Sequence, residues 1–381
     1  MTSLKIERDL DLDTLIKIGK VTIIYGARRV GKTTIIEKYL EKNNTEKTSY
    51  LSGENFIEKT QFEKLSYEQL INTYSENDIL FIDEAQNIQN VGAQCKILID
   101  NIPTIKIILT GSSAIDLLNR TGEPLVGRSY TYELYPSSVH ELQHSGVDFH
   151  LNRNVENLIL FGGYPEVFQL NNVKDKRDYL NEIVSSYLFK DVLNFGEIRN
   201  SKVIFDLVKL LAYQIGSTVS NNELAEQLMI DVKTVQKYLD ILEKCYIVKS
   251  LPSYHLNLRN ALKKKKKYYF NDLGVRNAIV NNFENVLDRN DKGAIFENFI
   301  FTELLKHNGY TRGFKEFFYY RNYNDAEVDF IAQKDGKIEL YETKFMSTKS
   351  AKQTPLGKAE IITFATCKTF IEDLYEHGSE G

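Results

Sequence analysis

The chain has 381 residues, of which 42% are hydrophobic and 26% are charged, and its formal net charge is −4. This length predicts two or three domains. No stretch approaches the roughly 18–20 uninterrupted apolar residues of a membrane span, and the amino terminus lacks the apolar core of a signal peptide. We therefore expect a cytoplasmic protein with no membrane partner. The three cysteines lie far apart without metal-ligand spacing, which predicts packed thiols.

Charge is distributed unevenly along the chain. Residues 201–275 contain twelve Lys or Arg against seven Asp or Glu, a net charge of +5, so the remainder carries about −9. A basic segment within an acidic protein indicates a local surface for polyanions rather than a chain that coats nucleic acid.

An apolar strand near residues 21–25 leads into a glycine-rich loop and then an amphipathic stretch. Residues 26–33 spell GARRVGKT, which fits G-x-x-x-x-G-K-[ST] in the required context. Gly26 and Gly31 let backbone amides wrap around phosphate oxygens, Lys32 suits the β- and γ-phosphates, and the Thr33 hydroxyl suits Mg²⁺. The pattern predicts a nucleoside triphosphate site, with a chance glycine loop as the alternative. The predicted contacts are Gly26, Ala27, Arg28, Arg29, Val30, Gly31, Lys32, Thr33 and Thr34.

A second apolar run, residues 78–84, ends in the carboxylates of Asp83 and Glu84. It is typical of a buried parallel strand, and open α/β sheets bind ligands at the carboxyl ends of such strands. We expect this strand to neighbour the first, so that its acids converge with the loop. Asp83 would hold Mg²⁺, directly or through water, and Glu84 would polarise the attacking water. The alternative is a pair of solvated loop acids.

A third strand near residues 105–110 ends in Gly111, Ser112 and Ser113. Ser112 could sense the γ-phosphate or orient the water, and capping of the next helix is the alternative. Together with strands near 48–52 and 129–134, these elements alternate with amphipathic segments. The alternation predicts an α/β unit built from βαβ crossovers.

From residue 137 to about 200 the pattern becomes helical. It is interrupted at residues 161–166, FGGYPE, where a glycine pair precedes a proline. One interpretation is a turn between two helices, and the other makes this element part of the nucleotide pocket.

Residues 220–242 carry a helix-turn-helix pattern. Ser220 can cap a first helix over 221–228, with Glu223 completing a capping box, and a second helix follows a turn at 229–231. On the second helix the apolar residues share one face, while polar residues remain available to a groove. The apolar set is Val235, Leu239 and Leu242, and the polar set is Lys233, Gln236 and Lys237.

Strands near 246–250 and 267–270 resemble a wing, and the run Lys263 to Lys267 lies between them. Lysines that neutralise phosphates release counterions, which favours DNA or RNA binding by residues 220–270. A solvated turn is the alternative for the lysine run, and protein binding is the alternative for the whole module.

The last third of the chain gathers acids. Glu297 lies on an apolar helix over 293–305, and a β-hairpin over 327–345 would place Asp329, Glu342 and Lys344 on one face. Two acids that hold Mg²⁺ and a lysine that steadies developing charge suit phosphodiester cleavage. Alternating polar residues on an exposed strand face would look the same.

With these residues in hand, the chain resembles a family of prokaryotic AAA-type ATP-binding proteins over nearly all of residues 15–345. The motifs that carry the resemblance are GARRVGKT at 26–33, LFIDE at 80–84, LTGSS at 109–113 and LVGR at 125–128. The resemblance implies four regions. They are a P-loop parallel-sheet ATPase core (1–136), a helical lid (137–200), a winged helix-turn-helix (201–275) and an α/β region related to the PD-(D/E)XK endonuclease fold (276–381).

The resemblance also implies individual roles. Arg128 would touch the phosphates in cis or from a neighbouring subunit, although a salt-bridged residue at a strand start is equally compatible. Pro165 would pack on adenine. Four residues match the endonuclease-like core, with Asp329 and Glu342 as metal ligands, although many family members are thought to have lost nuclease activity. The four are Glu297, Asp329, Glu342 and Lys344.

The leading functional hypothesis is an ATPase that binds Mg²⁺ and ATP. Slow hydrolysis would drive a conformational switch coupled to nucleic acid through the winged helix. The alternatives are an ATP-gated, metal-dependent nuclease and a regulatory or scaffold ATPase whose winged helix binds protein. An oligomer is compatible with the sequence.

Overall fold

The computed structural model describes residues 6–112, 125–145, 151–188, 192–193, 201–254, 265–321, 327–346, 351 and 353–377. The chain divides into two compact units, which are described separately. The sheet unit is Arg8–Tyr135, and the carboxyl-terminal unit is Met1–Glu7 with Pro136–Gly381. Within the described residues, none of the helices is long and apolar enough to cross a membrane. Ser113, Lys263 and Lys264, which carried predictions, lie outside the described residues.

The sheet unit contains a five-stranded parallel sheet of order β2-β3-β4-β1-β5. The strands predicted from sequence are confirmed to within a residue. The bounds are β1 Val21–Tyr25, β2 Thr48–Ser52, β3 Ile79–Asp83, β4 Lys106–Gly111 and β5 Ser129–Glu133.

The expectation that β1 and β3 are direct neighbours is wrong, because β4 lies between them. Residues 107–111 of β4 are fully buried, so this strand gains most from a central place where both of its edges and faces are covered. All five strands still run in one direction, so their carboxyl ends meet at a single edge of the sheet.

The helices of the sheet unit cover this sheet and share its core. Phe62, Leu70 and Leu98 pack in one cluster with β-strand residues such as Leu80 and Leu109. The bounds are α1 Leu12–Leu15, α2 Lys32–Lys42, α3 Phe56–Lys64, α4 Tyr67–Tyr74 and α5 Val91–Asn101, with a 3₁₀ turn at Ala85–Asn87.

The carboxyl-terminal unit begins with helices, as predicted for residues 137–200. Its described residues continue with three small sheets, one of which is a two-stranded hairpin within residues 353–358. Its helices are α6 Val139–His144, α7 Leu151–Phe161, α8 Val173–Glu182, α9 Ser201–Tyr213, α10 Asn221–Leu228, α11 Val232–Lys244, α12 Leu273–Val280, α13 Lys292–Tyr310 and α14 Cys367–His377. Shorter helical turns lie at Pro165–Phe168, Ile183–Leu188 and Val286–Asp288.

The predicted helix-turn-helix is formed by α10 and α11. Ser220 caps α10 by accepting from the Glu223 amide, and Met229 ends it in the left-handed conformation. Asp231 then caps α11 through the Thr234 amide. The left-handed Met229 at the end of α10 and the Asp231 cap at the start of α11 explain the sharp turn at 229–231. Behind the two helices lies an antiparallel sheet of order β6-β8-β7, made of β6 Thr218–Val219, β7 Val248–Leu251 and β8 Lys266–Phe270.

A second sheet, of order β14-β11-β10-β9, follows α13. The hairpin predicted over 327–345 is confirmed, and its two-residue turn is Asp335-Gly336, both with positive φ. The bounds are β9 Glu316–Arg321, β10 Glu327–Lys334, β11 Lys337–Lys344, β12 Gln353–Thr354, β13 Gly357–Lys358 and β14 Glu360–Thr363.

Candidate functional site

The loop from Gly26 to Gly31 links β1 to α2 at the carboxyl edge of the sheet. Gly26 and Gly31 have φ values of 148° and 99°, which favour glycine. A Cβ on Gly26 would lie 2.2 Å from the Leu134 carbonyl oxygen, so a larger residue does not fit. Gly31 is also the N-cap of α2, and no side chain caps the helix there. The first amides of α2 are therefore oriented to receive an anion.

Lys32 lies on the first turn of α2 with 5% of its surface exposed. Its Nζ donates to the carbonyl oxygens of Gly26 and Ala27, both at 3.0 Å. These acceptors carry partial charge, whereas phosphate oxygens carry full charge and make shorter, stronger hydrogen bonds with an ammonium. The Lys32 ammonium is therefore held inside the loop by contacts that a phosphate can replace.

The ends of β3 and β4 and the first turn of α2 meet at Asp83. The Thr33 hydroxyl lies 3.1 Å from Asp83 Oδ2 and 3.3 Å from Oδ1, and the Thr110 hydroxyl donates to Asp83 Oδ1. Mg²⁺ takes oxygen ligands at about 2.0–2.1 Å in an octahedron, whose neighbouring ligands lie about 2.9 Å apart. The Thr33 and Asp83 oxygens therefore fit two adjacent positions of a magnesium ion.

Glu84 follows Asp83 in the left-handed conformation, with φ 49°. Its amide donates to Thr110 Oγ1 at 3.1 Å, and its carboxylate accepts from Gln86 Nε2 at 2.5 Å. Gln86 Nε2 also lies 3.3 Å from Ser112 Oγ, which places Ser112 beside the acids as predicted for the end of β4. Gln86 is only 8% exposed, and its Oε1 has no hydrogen-bond partner among the described residues. Gln86 was not predicted as a site residue, because a glutamine two residues after Glu84 belongs to no motif.

The other residues of the loop differ in the exposure and contacts of their side chains. Val30 is fully buried, so it supports the loop from the core and offers a ligand its backbone alone. Arg29 and Thr34 are exposed, and Arg28 NH1 lies 3.7 Å from Glu54. Arg8 belongs to no sequence motif, and its NH1 donates to the Val30 carbonyl at 2.6 Å. A guanidinium from the start of the sheet unit thus holds the loop backbone in place.

Arg128 lies at the opposite end of the sheet. Its carbonyl accepts from the Val21 amide, whereas the phosphate loop follows Tyr25 at the other end of β1. At about 3.3 Å per residue, the two edges are separated by about 16 Å. Arg128 forms an ion pair with Asp100 at 2.8 Å. The structure thus agrees with a salt-bridged strand start and does not bring Arg128 to the phosphate edge of its own chain; a role in a neighbouring subunit stays a prediction.

The glycines before Pro165 have a packing reason inside the carboxyl-terminal unit. Gly162 has φ 74°, and a Cβ there would lie 2.0 Å from Asp272 Oδ1. The buried Asp272 carboxylate accepts from the Gly163 amide at 2.7 Å and from the Val275 amide at 3.0 Å. Burial raises the Asp272 pKa, and these backbone hydrogen bonds oppose the rise. The glycine pair therefore fits the turn interpretation, and contact of Pro165 with adenine stays a prediction.

The polar face of the helix-turn-helix lies as expected. Lys233, Gln236 and Lys237 are exposed on α11, and Val235 and Leu239 are buried. In the lysine run, Lys265 and Lys266 are exposed, but Lys267 is 2% exposed. The interpretation of Lys267 as a phosphate contact is wrong, because alternation along β8 turns it toward the interior.

Lys267 lies among the acids of the predicted endonuclease-like centre. Its Nζ lies 3.0 Å from Glu297 Oε1 and 3.0 Å from Glu327 Oε1. Tyr269 donates its hydroxyl to the same Glu297 oxygen at 2.5 Å. We call Lys267, Glu297, Glu327 and Asp329 the acidic cluster.

Asp329 and Glu342 are also occupied by protein donors. Asp329 Oδ2 accepts from the Thr343 amide at 2.7 Å and from its hydroxyl at 2.9 Å, and Glu342 Oε1 pairs with Lys344 at 2.7 Å. Burial and the charge of Glu297 raise the Asp329 pKa to about 7, against the opposing effects of Lys267 and Thr343. Among the described residues, no three acid, histidine or cysteine side chains form a group that could hold a metal. A metal on these oxygens would have to displace the protein donors, and metal ligation by Asp329 and Glu342 stays a prediction.

Family models match three segments of the chain. Residues 19–143 match an AAA domain, residues 152–286 match the domain of unknown function DUF8612, and residues 292–357 match the domain of unknown function DUF4143. The AAA match covers the sheet, the phosphate loop and both acids. The sheet unit is therefore similar to an AAA domain and has the parallel sheet and glycine loop of a P-loop nucleotide-binding fold.

Relatives match over most of the chain. An uncharacterized protein of Haemophilus influenzae is 27% identical and aligns with 93% of this chain and 90% of its own. Uncharacterized protein MJ1544 of Methanocaldococcus jannaschii is 26% identical over 93% of this chain and 81% of its own. Uncharacterized protein Rv2008c of Mycobacterium tuberculosis is 26% identical over 87% of this chain and 71% of its own.

Two solved structures are similar over part of the chain. AMPPCP-bound DnaA from Aquifex aeolicus is 18% identical, with 59% of this chain and 81% of that chain covered and a TM-score of 0.31. Drosophila ORC bound to DNA is 10% identical, with 73% and 92% covered and a TM-score of 0.26.

Proposed function

We propose that the protein binds ATP with Mg²⁺ and hydrolyses it slowly, and that this cycle switches its affinity for nucleic acid. The contact that carries the proposal joins Thr33 Oγ1 to Asp83 Oδ2 at 3.1 Å, directly behind a loop that holds the Lys32 ammonium. A hydroxyl, a carboxylate and an ammonium at the carboxyl edge of a parallel sheet are the groups that a magnesium–triphosphate complex requires.

Each group has a distinct task. The loop amides from Gly26 to Thr34 bind the phosphates, and the Lys32 ammonium exchanges its two carbonyl acceptors for β- and γ-phosphate oxygens. Thr33 and Asp83 hold Mg²⁺, which neutralises charge that develops on the phosphates.

Glu84 orients the attacking water and accepts its proton. In this structure the Gln86 amide donates to the Glu84 carboxylate and also lies near Ser112. Water can use that carboxylate oxygen only after the Gln86 hydrogen bond breaks, so we expect hydrolysis to be slow. Gln86 is thus a positioning residue, and Ser112 links it to the end of β4.

The test of magnesium binding is Thr33→Ala. We expect this variant to lose the gain in ATP affinity that Mg²⁺ gives the wild type, because the hydroxyl ligand is removed. Titration of ATP, with and without Mg²⁺, measures the gain for the variant and for a control, Thr73→Ala, on α4. An equal magnesium effect in Thr33→Ala and wild type would contradict the assignment. GTP competition tests the preference for adenine.

For the nucleic-acid partner, the supporting observation is the exposed face of α11. Lys233 and Lys237 flank Gln236 there, and β8 contributes the exposed Lys266. We assign this winged helix-turn-helix a role in binding DNA or RNA phosphates. Affinity for duplex that falls steeply with salt supports this role. Salt-independent binding, or none, would favour the alternative in which the module binds protein.

We place the protein in the cytoplasm. Cys95, Cys245 and Cys367 are buried thiols, as expected in a reducing compartment. Burial raises the pKa of Cys95 to about 12, so this thiol is unreactive near neutral pH.

A further inference from the structure

The acidic cluster has a buried lysine at its centre. Lys267 comes from β8 of the helix-turn-helix sheet, Glu297 from α13, and Glu327 and Asp329 from β10. The preceding residue, Lys266, is exposed, whereas Lys267 is 2% exposed. One ammonium therefore joins three elements that are distant in sequence.

The contacts of this ammonium match those of a bound cation. Its Nζ lies 3.0 Å from one carboxylate oxygen of Glu297 and 3.0 Å from one of Glu327, with the Tyr319 ring centroid at 5.4 Å. An ammonium is a compact charge with three donors, and it satisfies two carboxylates without the short distances that a metal demands.

Two carboxylate oxygens of the acidic cluster receive further protein donors. The Glu297 oxygen that meets Lys267 receives the Tyr269 hydroxyl too, and Asp329 Oδ2 receives two donors from Thr343. A metal bound to these two oxygens would have to displace these donors as well as the ammonium.

The charges of the acidic cluster also favour an ammonium as its bound cation. Burial lowers the Lys267 pKa, but Glu297, Asp329 and Glu327 raise it by more, so the amine stays protonated. Glu342 is paired to Lys344, and the Lys267 ammonium is shared by Glu297, Glu327 and the buried Asp329.

We infer that the Lys267 ammonium takes the place of a divalent cation in the acidic cluster and joins the helix-turn-helix sheet to the hairpin sheet. The carboxyl-terminal unit then has a built-in cation and no metal-dependent nuclease centre. This inference is independent of ATP binding.

The test is metal binding by the full chain. All variants carry Asp83→Asn, so that the proposed magnesium site of the sheet unit does not contribute. Mn²⁺ is titrated and free ion is measured by electron paramagnetic resonance. In this parent we expect no Mn²⁺ site that depends on Asp329. In Lys267→Met, whose apolar side chain removes the ammonium and keeps most of the volume, we expect one added site at least tenfold tighter than any in the parent.

Matched variants make the outcome decisive. Lys266→Met, one residue away and exposed, should leave Mn²⁺ binding unchanged, and Asp329→Asn should abolish the site gained by Lys267→Met. If Lys267→Met does not fold, Lys267→Met with Glu327→Gln lowers the uncompensated charge and is titrated in its place. A folded variant without a gained site overturns the inference.

A second test of the inference uses the parent chain alone and needs no lysine variant. One Mn²⁺ bound by the parent and absent in Asp329→Asn would show a resident metal site and contradict the inference. Cleavage of single-stranded or duplex nucleic acid by the parent with Mn²⁺, abolished by Asp329→Asn, would contradict it as well.

Discussion

Lys32 and Lys267 are both buried, and the acceptors of their ammonium groups differ. Lys32 of the phosphate loop is 5% exposed and donates to two backbone carbonyls, whereas Lys267 is 2% exposed and pairs with two carboxylates. A carbonyl dipole holds an ammonium less strongly than a carboxylate does.

The comparison shows that burial does not identify a functional lysine. A phosphate can compete for Lys32, because the carbonyls it leaves keep no net charge. Removing Lys267 from its partners would leave the largely buried Glu297 carboxylate without its cation, which costs several kcal/mol. Loss of Lys32 is therefore expected to impair ATP turnover, whereas loss of Lys267 is expected to lower the stability of the carboxyl-terminal unit.

The largest effect is expected for Lys32→Ala. Loss of the ammonium removes charge stabilisation from the transferring phosphoryl group, so ATP turnover should fall by about 10² or more. Phosphate release under saturating Mg²⁺ and ATP measures the change. Lys20→Ala is the matched control, because Lys20 also donates to a carbonyl, that of Gly127, but lies at the other edge of the sheet. Equal losses in the two variants would contradict a specific role for Lys32.

The second effect is on stability. Lys267→Met should destabilise the carboxyl-terminal unit by about 3 kcal/mol, because it breaks a buried ion pair and leaves Glu297 without its cation. Thermal unfolding followed by circular dichroism compares it with Lys266→Met, which should melt like the wild type. A Lys267→Met variant as stable as Lys266→Met would contradict the claim that Lys267, unlike Lys32, is held by carboxylates that need its charge.

The third effect depends on pH. Burial, together with Glu297, raises the Asp329 pKa to about 7, from an ordinary value near 4 in the unfolded chain. Between these values the folded state binds more protons, so Asp329 makes stability fall as pH rises from about 4 to 7. Asp329→Asn removes this contribution. Its melting temperature should therefore rise relative to the wild type as pH increases across this window.

The control for this measurement is Asp335→Asn, in the exposed turn of the same hairpin. Its melting temperature should keep a constant offset from that of the wild type. A constant offset for Asp329→Asn as well would show that Asp329 titrates normally and that the cluster is more solvated than described.

A smaller effect is expected at the helix-turn-helix. Replacing Lys233 and Lys237 with alanine should weaken duplex binding at low salt and reduce the slope of log affinity against log salt by about 1 for each phosphate that is no longer neutralised. Fluorescence anisotropy over a salt series measures the slope. Lys174→Ala, an exposed lysine on α8, is the control. An unchanged slope in the double variant would place any nucleic-acid interface elsewhere.

The smallest effect is expected for Arg128→Ala in the monomer. The ion pair with Asp100 is partly exposed and contributes about 0–1 kcal/mol to stability. Because Arg128 lies at the edge away from the phosphate loop, ATP turnover at low protein concentration should not change. A loss of ATP turnover that appears only as protein concentration rises would support action of Arg128 on a neighbouring subunit. A loss of turnover in the dilute monomer would contradict the placement of Arg128 at the edge away from the phosphate loop.

Local patterns predicted the sheet unit well. The apolar runs that form β1, β3 and β4 are long enough to indicate buried strands. The glycine loop could be predicted as a phosphate site because it directly follows one of these strands. The order of the strands was not predictable in the same way, because pairing joins residues such as Val21 and Ile107 that local sequence does not relate.

The carboxyl-terminal unit shows why the rest was missed. Five lysines in a row look equivalent, and the pleat of β8 decides that Lys266 faces solvent while Lys267 faces the acids. Gly163 meets Asp272 across 109 residues, a contact that neither local sequence could signal. Gln86 lies within two residues of Glu84, yet the turn that aims its amide back at the carboxylate is tertiary.

Single-turnover kinetics of Glu84→Gln test the central claim most directly. The variant keeps the phosphate loop, Thr33 and Asp83, so it should bind Mg²⁺ and ATP with wild-type affinity. It should release phosphate at least 10² times more slowly, because an amide cannot accept the proton of the attacking water. Glu41→Gln, exposed on α2, should match the wild type in both measurements. Wild-type phosphate release by Glu84→Gln would contradict the account.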